Sequence, residues 1–213
     1  MKKLVIAGNG GFSREVEWLV NRINKVSPTW EFLGFIDNLS KEGKVVGDDD
    51  FVTHYKEELY VALGIGNSKV REKIYKKYRK NPKIQFANLI DPSVMCSDRI
   101  LLGGGNIVCA GTILTVDITI GNCNIINLAC TIGHDVVLGD FVTVNPGVNI
   151  SGNTSIGSGC NIGTGTKIIQ GLRIGKNTVV GAGAVVTKEL PDDSTAVGIP
   201  AKVIKIKEDR VLE

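Results

Sequence analysis

Between Ile120 and Val186 every sixth residue is aliphatic without interruption: Ile120, Ile126, Ile132, Leu138, Val144, Ile150, Ile156, Ile162, Ile168, Ile174, Val180 and Val186. Neither a 3.6-residue helix nor an alternating strand generates that period, and a fixed short repeat of this kind is the signature of a parallel β-helix. The next residue is usually small or polar, as at Gly121, Asn127, Gly133, Gly139, Asn145 and Ser151. These are expected to be the turn residues, because Gly and Asn tolerate tight bends and positive φ. The position four after each aliphatic residue, as at Cys130, Val136, Val142, Val148, Thr154 and Cys160, is also small or β-branched and is expected to point inward beside it. Three units closing a triangular coil would rise by one inter-strand spacing, about 4.8 Å. Period alone leaves the hand of the coil open.

Upstream, Val94 and Ile100 are six apart, as are Ile107 and Ile113, but the steps from 100 to 107 and from 113 to 120 are seven. Two corners with an extra residue are therefore expected. The β-helix is expected to begin near Asn88, with Asp91-Pro92-Ser93 as its entrance turn. Its far end falls near Pro191, followed by Gly198-Ile199-Pro200-Ala201-Lys202 and a short charged tail.

Residues 1–86 follow a different period and read as an α/β domain. Lys3 to Ala7 is a short apolar strand, Gly8-Asn9-Gly10-Gly11 a tight turn, and Ser13 to Lys25 carries helical spacing through Val16, Leu19, Val20 and Ile23. A second strand, Trp30 to Ile36, ends in Asp37-Asn38; a third, Leu59 to Ile65, ends in Gly66-Asn67 and feeds a helix. This is a Rossmann-like βαβ arrangement with its glycine turn and acidic residue at strand carboxyl ends, where open parallel sheets bind ligands. Gly8 and Gly10 match two glycines of a dinucleotide fingerprint, but Ser13 stands at the third. Backbone amides at a helix start suit a phosphate, and the Asp37 carboxylate suits a ribose or sugar hydroxyl, so both NAD and a nucleotide sugar fit.

With 213 residues, 43% hydrophobic and 22% charged, the chain can bury two cores. The net charge of +3 is thinly spread. The basic stretch Lys69 to Lys83 alternates with Glu72, Ile74, Tyr75 and Tyr78 as on one exposed helix, which gives no reason to expect a nucleic-acid partner. The apolar stretch of the amino terminus ends after Ala7, too short for a signal peptide, and no run approaches a membrane span. Five cysteines without CxxC spacing imply neither a disulfide framework nor a zinc knuckle, and a reducing cytoplasm is expected.

The whole chain resembles a bacterial family of sugar O- and N-acyltransferases of the hexapeptide-repeat superfamily, which includes the sialic acid O-acetyltransferase group and the UDP-4-amino-sugar N-acetyltransferases. The resemblance is carried by Gly8-Asn9-Gly10-Gly11, Gly34-Phe35-Ile36-Asp37-Asn38, Leu63-Gly64-Ile65-Gly66-Asn67, Asn88-Leu89-Ile90-Asp91-Pro92, Gly133-His134-Asp135, the hexads and Gly198-Ile199-Pro200-Ala201-Lys202. It implies a left-handed β-helix over 87–213 behind a nucleotide-sugar domain over 1–86. Gly8, Gly10, Gly11, Asp37, Asn38, Gly66 and Asn67 match the acceptor pocket. The resemblance further implies a homotrimer with acetyl-CoA between neighbouring β-helices, near Thr143, Thr164 and Ala182, its adenine end toward Pro200, Ala201 and Lys202. Two positions depart from the UDP-4-amino-sugar enzymes: Phe12 and Thr143 replace histidines. Phe12 either stacks on the acceptor or anchors the first helix in the core.

Only two histidines exist, so a three-histidine zinc site cannot be assembled, and no metal is expected. His54 lies in a polar stretch and reads as a surface residue. His134, two positions after inward-facing Ile132, belongs at a corner and points outward, with Asp135 placed to hold one ring nitrogen while the other accepts a proton. The family resemblance makes this pair the general base at a subunit interface and Gly152 a donor to the oxyanion. A covalent relay through Cys130 would need an exposed thiolate, whereas its slot is inward. The implied activity is transfer of acetyl from acetyl-CoA to an amine or hydroxyl of a sugar in surface-glycan synthesis. Two other readings use fewer features: a nucleotide-dependent oxidoreductase, and a non-catalytic nucleotide-sugar sensor.

Overall fold

A computed structural model of the chain describes residues 1–40 and 43–207; the end of the expected charged tail, 208–213, lies outside the described residues. The amino-terminal layer is a five-stranded, all-parallel sheet built from β1 (Lys2–Ala7), β2 (Trp30–Ile36), β3 (Val45–Gly47), β4 (Leu59–Leu63) and β5 (Ile84–Phe86), in the order β3-β2-β1-β4-β5. Leu4, Val5, Ile6 and Ala7 are all buried, as expected of a strand covered on both faces. Helix α1 (Gly11–Val26) buries the stripe Val16, Leu19 and Val20; α2 (Asp49–Thr53) and α3 (Ser68–Tyr78) complete the layer. Strand order reverses between β1 and β4, so the loops after these two strands flank a switch-point crevice.

From Leu89 onward the chain winds as a left-handed, three-sided parallel β-helix. Face one begins at Leu89–Ile90 and ends with Ser194–Val197 and the antiparallel strand Lys202–Ile206. Face two runs from Met95–Cys96 to Val185–Val186, and face three from Ile100–Leu102 to Arg173–Ile174. All twelve hexad aliphatics from Ile120 to Val186 are at most 2% exposed. The positions four residues on are buried with them, including Cys130, Val136, Thr154, Cys160 and Thr178.

Two sequence expectations are corrected. The early coils carry no extra corner residue: Ile90 pairs with Val108, Cys96 with Leu114 and Leu102 with Ile120, all eighteen residues apart. Leu102, Val108 and Leu114 therefore continue the hexad phase, while Val94 and Ile100 occupy the second inward slot. The apparent slip arose because Ile107 faces outward, buried against the amino-terminal layer in a cluster with Leu4, Ile6, Leu89 and Ile125, and Ile113 faces solvent. An outward aliphatic residue next to an inward one mimics a shifted phase.

The second correction concerns the turns. Positive φ falls three residues after the aliphatic position, at Asp117, Cys123, Ala129, Asp135, Phe141, Gly147, Asn153 and Gly159 among others. The glycine immediately after the aliphatic residue answers a different demand: a Cβ at Gly133 would sit 2.7 Å from the Gly152 nitrogen of the next coil. Close stacking of coils, rather than bend geometry, selects glycine there.

The amino-terminal layer docks on face one. Leu89, Ile107 and Ile125 meet Leu4, Ile6, Val16 and Trp30. At one edge, Arg22 makes a two-pronged ion pair with the 2%-exposed Asp91, Nε to Oδ2 at 2.6 Å and Nη2 to Oδ1 at 3.0 Å. Burial alone would raise the Asp91 carboxyl, but hydrogen bonds from Arg22 and Ser93 outweigh it and hold the pKa at about 2. At the other edge, Arg71 enters the junction and Ser68 Oγ donates to Gly159 O at 3.1 Å. No helix among the described residues is long and apolar enough to cross a membrane.

Candidate functional site

The crevice at the carboxyl ends of β1, β2 and β4 gathers several of the expected acceptor residues. Gly8 (φ 98°) is pinned by its amide to Ile36 O at 2.8 Å, and a Cβ there would meet Ser13 Oγ at 2.9 Å. Gly10 caps α1 without any side-chain bond, and nothing lies within 4 Å of where its Cβ would be, so the backbone at the helix start is open to a ligand. Gly8, Asp37, Asn38 and Ile65 line one pocket of about 160 Å³, with Tyr78 at its wall. A second, of about 300 Å³, opens beside Asp37, Asn38 and Asp48. Asp37 Oδ1 accepts from the amides of Leu39 and Ser40, and Asn38 Oδ1 accepts from the Asp49 amide, so both side chains also shape the loops around the crevice. Asn67 caps α3 through the Val70 amide. Phe12 is half-buried and packs against the cluster that includes Leu4 and Val16.

His134 stands at the corner between faces two and three. Its Nδ1 lies 2.7 Å from Asp135 Oδ2, and since the carboxylate can only accept, Nδ1 carries a proton; in the neutral ring Nε2 is then the nitrogen with the free lone pair. Nε2 has no hydrogen-bond partner among the described residues. Asp135 adopts the left-handed conformation at φ 59°, which turns its carboxylate back toward the ring of the preceding residue. Directly above, a Cβ at Gly152 would come within 2.4 Å of His134 Nε2, so the imidazole occupies space that any other residue would fill. Both side chains are about half exposed, 52% for His134 and 59% for Asp135.

The corners differ in how they treat their amides. At the corner between faces three and one, the amides of Gly104, Asn122, Asp140 and Lys176 are capped by side chains of the next coil, namely Asn122, Asp140, Ser158 and Asp192. Among the described residues the amides of Gly152, at the histidine corner, and of Thr164 and Ala182, at the corner between faces one and two, donate to nothing. Thr164 and Ala182 are exposed, one coil apart, beneath the cap where Ala201 N bonds Val185 O at 2.8 Å. Pro200 and Lys202 are exposed beside it.

Thr143 departs from expectation. It is 4% exposed, its hydroxyl donating to Gly66 O at 2.9 Å and accepting from Arg71 Nη2 at 3.0 Å. Its side chain sits in the domain junction and not on an open coenzyme wall, because face one is the face that the amino-terminal layer covers. Arg71 was hidden in a basic stretch that reads as a solvated helix face. The neighbouring lysines are exposed, but Arg71 is 1% exposed, and burial lowers its guanidinium to about 10. Nothing but its position four residues after the helix cap Asn67 marks it in the sequence.

The residues fall into three groups that one chain does not unite. The crevice lies over face one; His134, Asp135 and Gly152 lie at the vertex opposite face one; Thr164, Ala182 and the cap lie at a third position, across face two from the histidine. Cys130 is fully buried, its thiol bonded to Asn145 O at 3.2 Å and pushed up in pKa by burial, which removes it from any nucleophilic role. Among the described residues no group of three or more His, Cys, Asp or Glu side chains is placed to hold a metal ion. His54 is exposed, its ring engaged with its own helix.

Comparison with known proteins is consistent along the chain. Residues 3–78 match the model of the PglD N-terminal domain, and residues 153–188 match that of the bacterial transferase hexapeptide (six repeats). No curated protein matches the chain in sequence. Among solved structures, WeeI from Acinetobacter baumannii AYE is 33% identical, with 96% of this chain and 100% of that one covered and a TM-score of 0.87. A variant of perosamine N-acetyltransferase from Caulobacter crescentus, in complex with CoA and GDP-perosamine, is 31% identical over 98% of both chains at a TM-score of 0.85. The acetyltransferase domain of PglB from Neisseria gonorrhoeae FA1090, in complex with acetyl coenzyme A, is 29% identical over 95% of this chain and 99% of that one at a TM-score of 0.89.

Proposed function

The chain belongs to the bacterial sugar acyltransferase family of the hexapeptide-repeat superfamily, and on that premise we propose that it transfers acetyl from acetyl-CoA to an amine or hydroxyl of a nucleotide-linked sugar, with His134 as general base. The observation that carries the reading is the His134–Asp135 pair, whose Nε2 is unpartnered beside the uncapped Gly152 amide. Nε2 takes the proton of the attacking amine or hydroxyl as its lone pair adds to the thioester carbonyl. The oxyanion formed there is met by the Gly152 amide, and its collapse expels the CoA thiolate, which leaves as the thiol once protonated. Asp135 keeps the proton on Nδ1 and orients the ring.

The acceptor belongs in the crevice of Gly8, Gly10, Gly11, Asp37, Asn38, Gly66 and Asn67. Acetyl-CoA belongs along the corner of Thr164 and Ala182 toward Pro200, Ala201 and Lys202, where uncapped amides suit its amide-rich arm. Because a chain's own crevice and its own His134 lie on opposite sides of the β-helix, the reading requires the crevice of one copy to meet the histidine of the next. A cyclic homotrimer accomplishes this. The apolar residues around the histidine vertex support it: Met95 is 66% exposed, Leu101 71%, Val137 47% and Val116, one coil below His134, 37%. A cytoplasmic location accords with five unpaired cysteines and with acetyl-CoA as donor. The acceptor's place in surface-glycan synthesis follows from the same family reading.

The test is thiol release from acetyl-CoA across UDP-, GDP- and dTDP-amino sugars and free sialic acid, with His134→Ala in parallel. Turnover on one acceptor that collapses in the variant is the expected outcome. Turnover that persists within a few-fold in His134→Ala removes the general-base assignment, and absence of acetyl-CoA binding removes the enzyme reading.

A further inference from the structure

Arg71 is a fully buried cation with no carboxylate partner among the described residues, which needs a physical reason. Its guanidinium is spent entirely on neutral acceptors. Nη1 donates to Ile65 O at 2.7 Å and Gly66 O at 3.0 Å, on the loop after β4. On the other side Nε donates to Cys123 O at 2.8 Å, and Nη2 to Phe141 O at 2.8 Å and to Thr143 Oγ1 at 3.0 Å, all on the β-helix. Thr143 closes the circuit by donating to the same Gly66 carbonyl. Burying a charge is expensive, and apolar packing would hold two domains together at lower cost. What apolar packing lacks is the rigid planar fork, whose donors fix two sets of carbonyls at defined distances and angles.

The carbonyls so fixed are not arbitrary. Ile65 lines the same pocket as Gly8, Asp37 and Asn38, and Gly66 continues the loop on the β4 side of the switch point. On the β-helix side, Cys123 and Phe141 are the left-handed corner residues of two successive coils, and Thr143 begins the next strand. The contact thus joins a ligand-bearing loop to the most regular part of the scaffold.

We propose that Arg71, through Thr143 and Gly66, is a positioning residue for the nucleotide portion of the acceptor: it fixes the crevice loop to the β-helix, and with it the pose in which the acceptor is held. This rests on the crevice being the nucleotide site proposed above. Among the described residues none of the clamp's hydrogen bonds reaches the proposed coenzyme corner at Thr164 and Ala182, so nucleotide binding and coenzyme binding should respond to it separately.

The test is isothermal calorimetry of UDP, GDP and dTDP, and separately of CoA, on the wild-type chain and on Arg71→Lys, Thr143→Val and Thr143→Ser, with thermal unfolding of each. The expected result is that the nucleoside diphosphate bound by the wild type loses affinity by about tenfold in Arg71→Lys and about three- to fivefold in Thr143→Val, that Thr143→Ser restores it, and that CoA affinity stays within twofold. Thr143→Val keeps shape and arginine alike, so it reports even where Arg71→Lys does not fold. Nucleotide affinity unchanged in Thr143→Val and in any folded Arg71→Lys overturns the proposal, as does an equal loss of CoA and nucleotide binding. A wild-type chain that binds CoA but none of the three diphosphates overturns the nucleotide-site reading, and the clamp's role with it.

Discussion

The imidazole of His134 and the Cα of Gly152 are so close that a methyl group on Gly152 would lie 2.4 Å from Nε2 and 2.5 Å from Cε1. Eighteen residues separate them, one full coil, so the ring rests against the backbone of the coil above. Gly152→Ala is expected to leave the β-helix folded but to push the imidazole off its seat. The turnover number should fall by roughly 10- to 100-fold, toward the 10²–10⁴ that a general base supplies, with CoA affinity little changed. Steady-state kinetics beside CoA calorimetry separates the two, and an unchanged turnover number would mean the ring has another productive seat.

Asp135 meets the His134 ring at a backbone cost, since φ 59° is a conformation that L side chains resist by about 1 kcal/mol. Asp135→Gly should therefore be as stable as the wild type or slightly more so, while losing the partner that keeps the proton on Nδ1. A melting temperature that holds or rises as turnover falls about tenfold or more is the expected pair of readings. A stable variant with full turnover would remove Asp135 from the mechanism.

A site shared between copies has an arithmetic signature. His134→Ala and Asp37→Ala chains, each inactive alone, should regain about a quarter of wild-type activity when mixed one to one and reassembled, because each crevice then meets an intact neighbouring histidine in about one arrangement of four. No recovery after verified mixing would place the whole site within one chain.

The Arg22–Asp91 pair makes a pH prediction. The folded Asp91 carboxyl titrates at about 2, below its ordinary 3.8, so the pair's contribution is complete above about pH 4 and is lost as pH falls toward 2. The contribution is reduced by solvent screening, because Arg22 remains about one-third exposed. Denaturant unfolding between pH 6 and pH 2 should show a shallower acid loss in Arg22→Met than in the wild type. Parallel curves would mean that the pair does not couple folding to this titration.

The β-helix was legible because its core repeats: twelve aliphatics at one period leave no other fold, and all twelve are buried. The first coils misled the phase for a physical reason, since outward Ile107 serves a second core outside the coil and outward Ile113 faces solvent. His134 and Asp135 could be paired from adjacency alone, and the two lie 2.7 Å apart. Arg71 and the junction role of Thr143 were beyond sequence reasoning, because a buried arginine bonded only to neutral oxygens leaves no complementary acid to search for. The turn assignment failed similarly: left-handed φ at Asp117, Asp135 and Phe141 is imposed by the winding of the coil, whatever residue stands there.

The uniform coil makes the β-helix a calliper. Every turn adds one strand to each face and about 4.8 Å to the axis, so adding or removing whole turns changes the span from the histidine to the cap in fixed steps. Removing or adding eighteen residues between Gly152 and Ala182 would change that span by one step without rotating any corner, whereas a change of six would carry each column to the adjacent edge. Length and orientation are thus separately adjustable in this scaffold, and a chain of this design can be matched to a longer or shorter donor by whole turns alone.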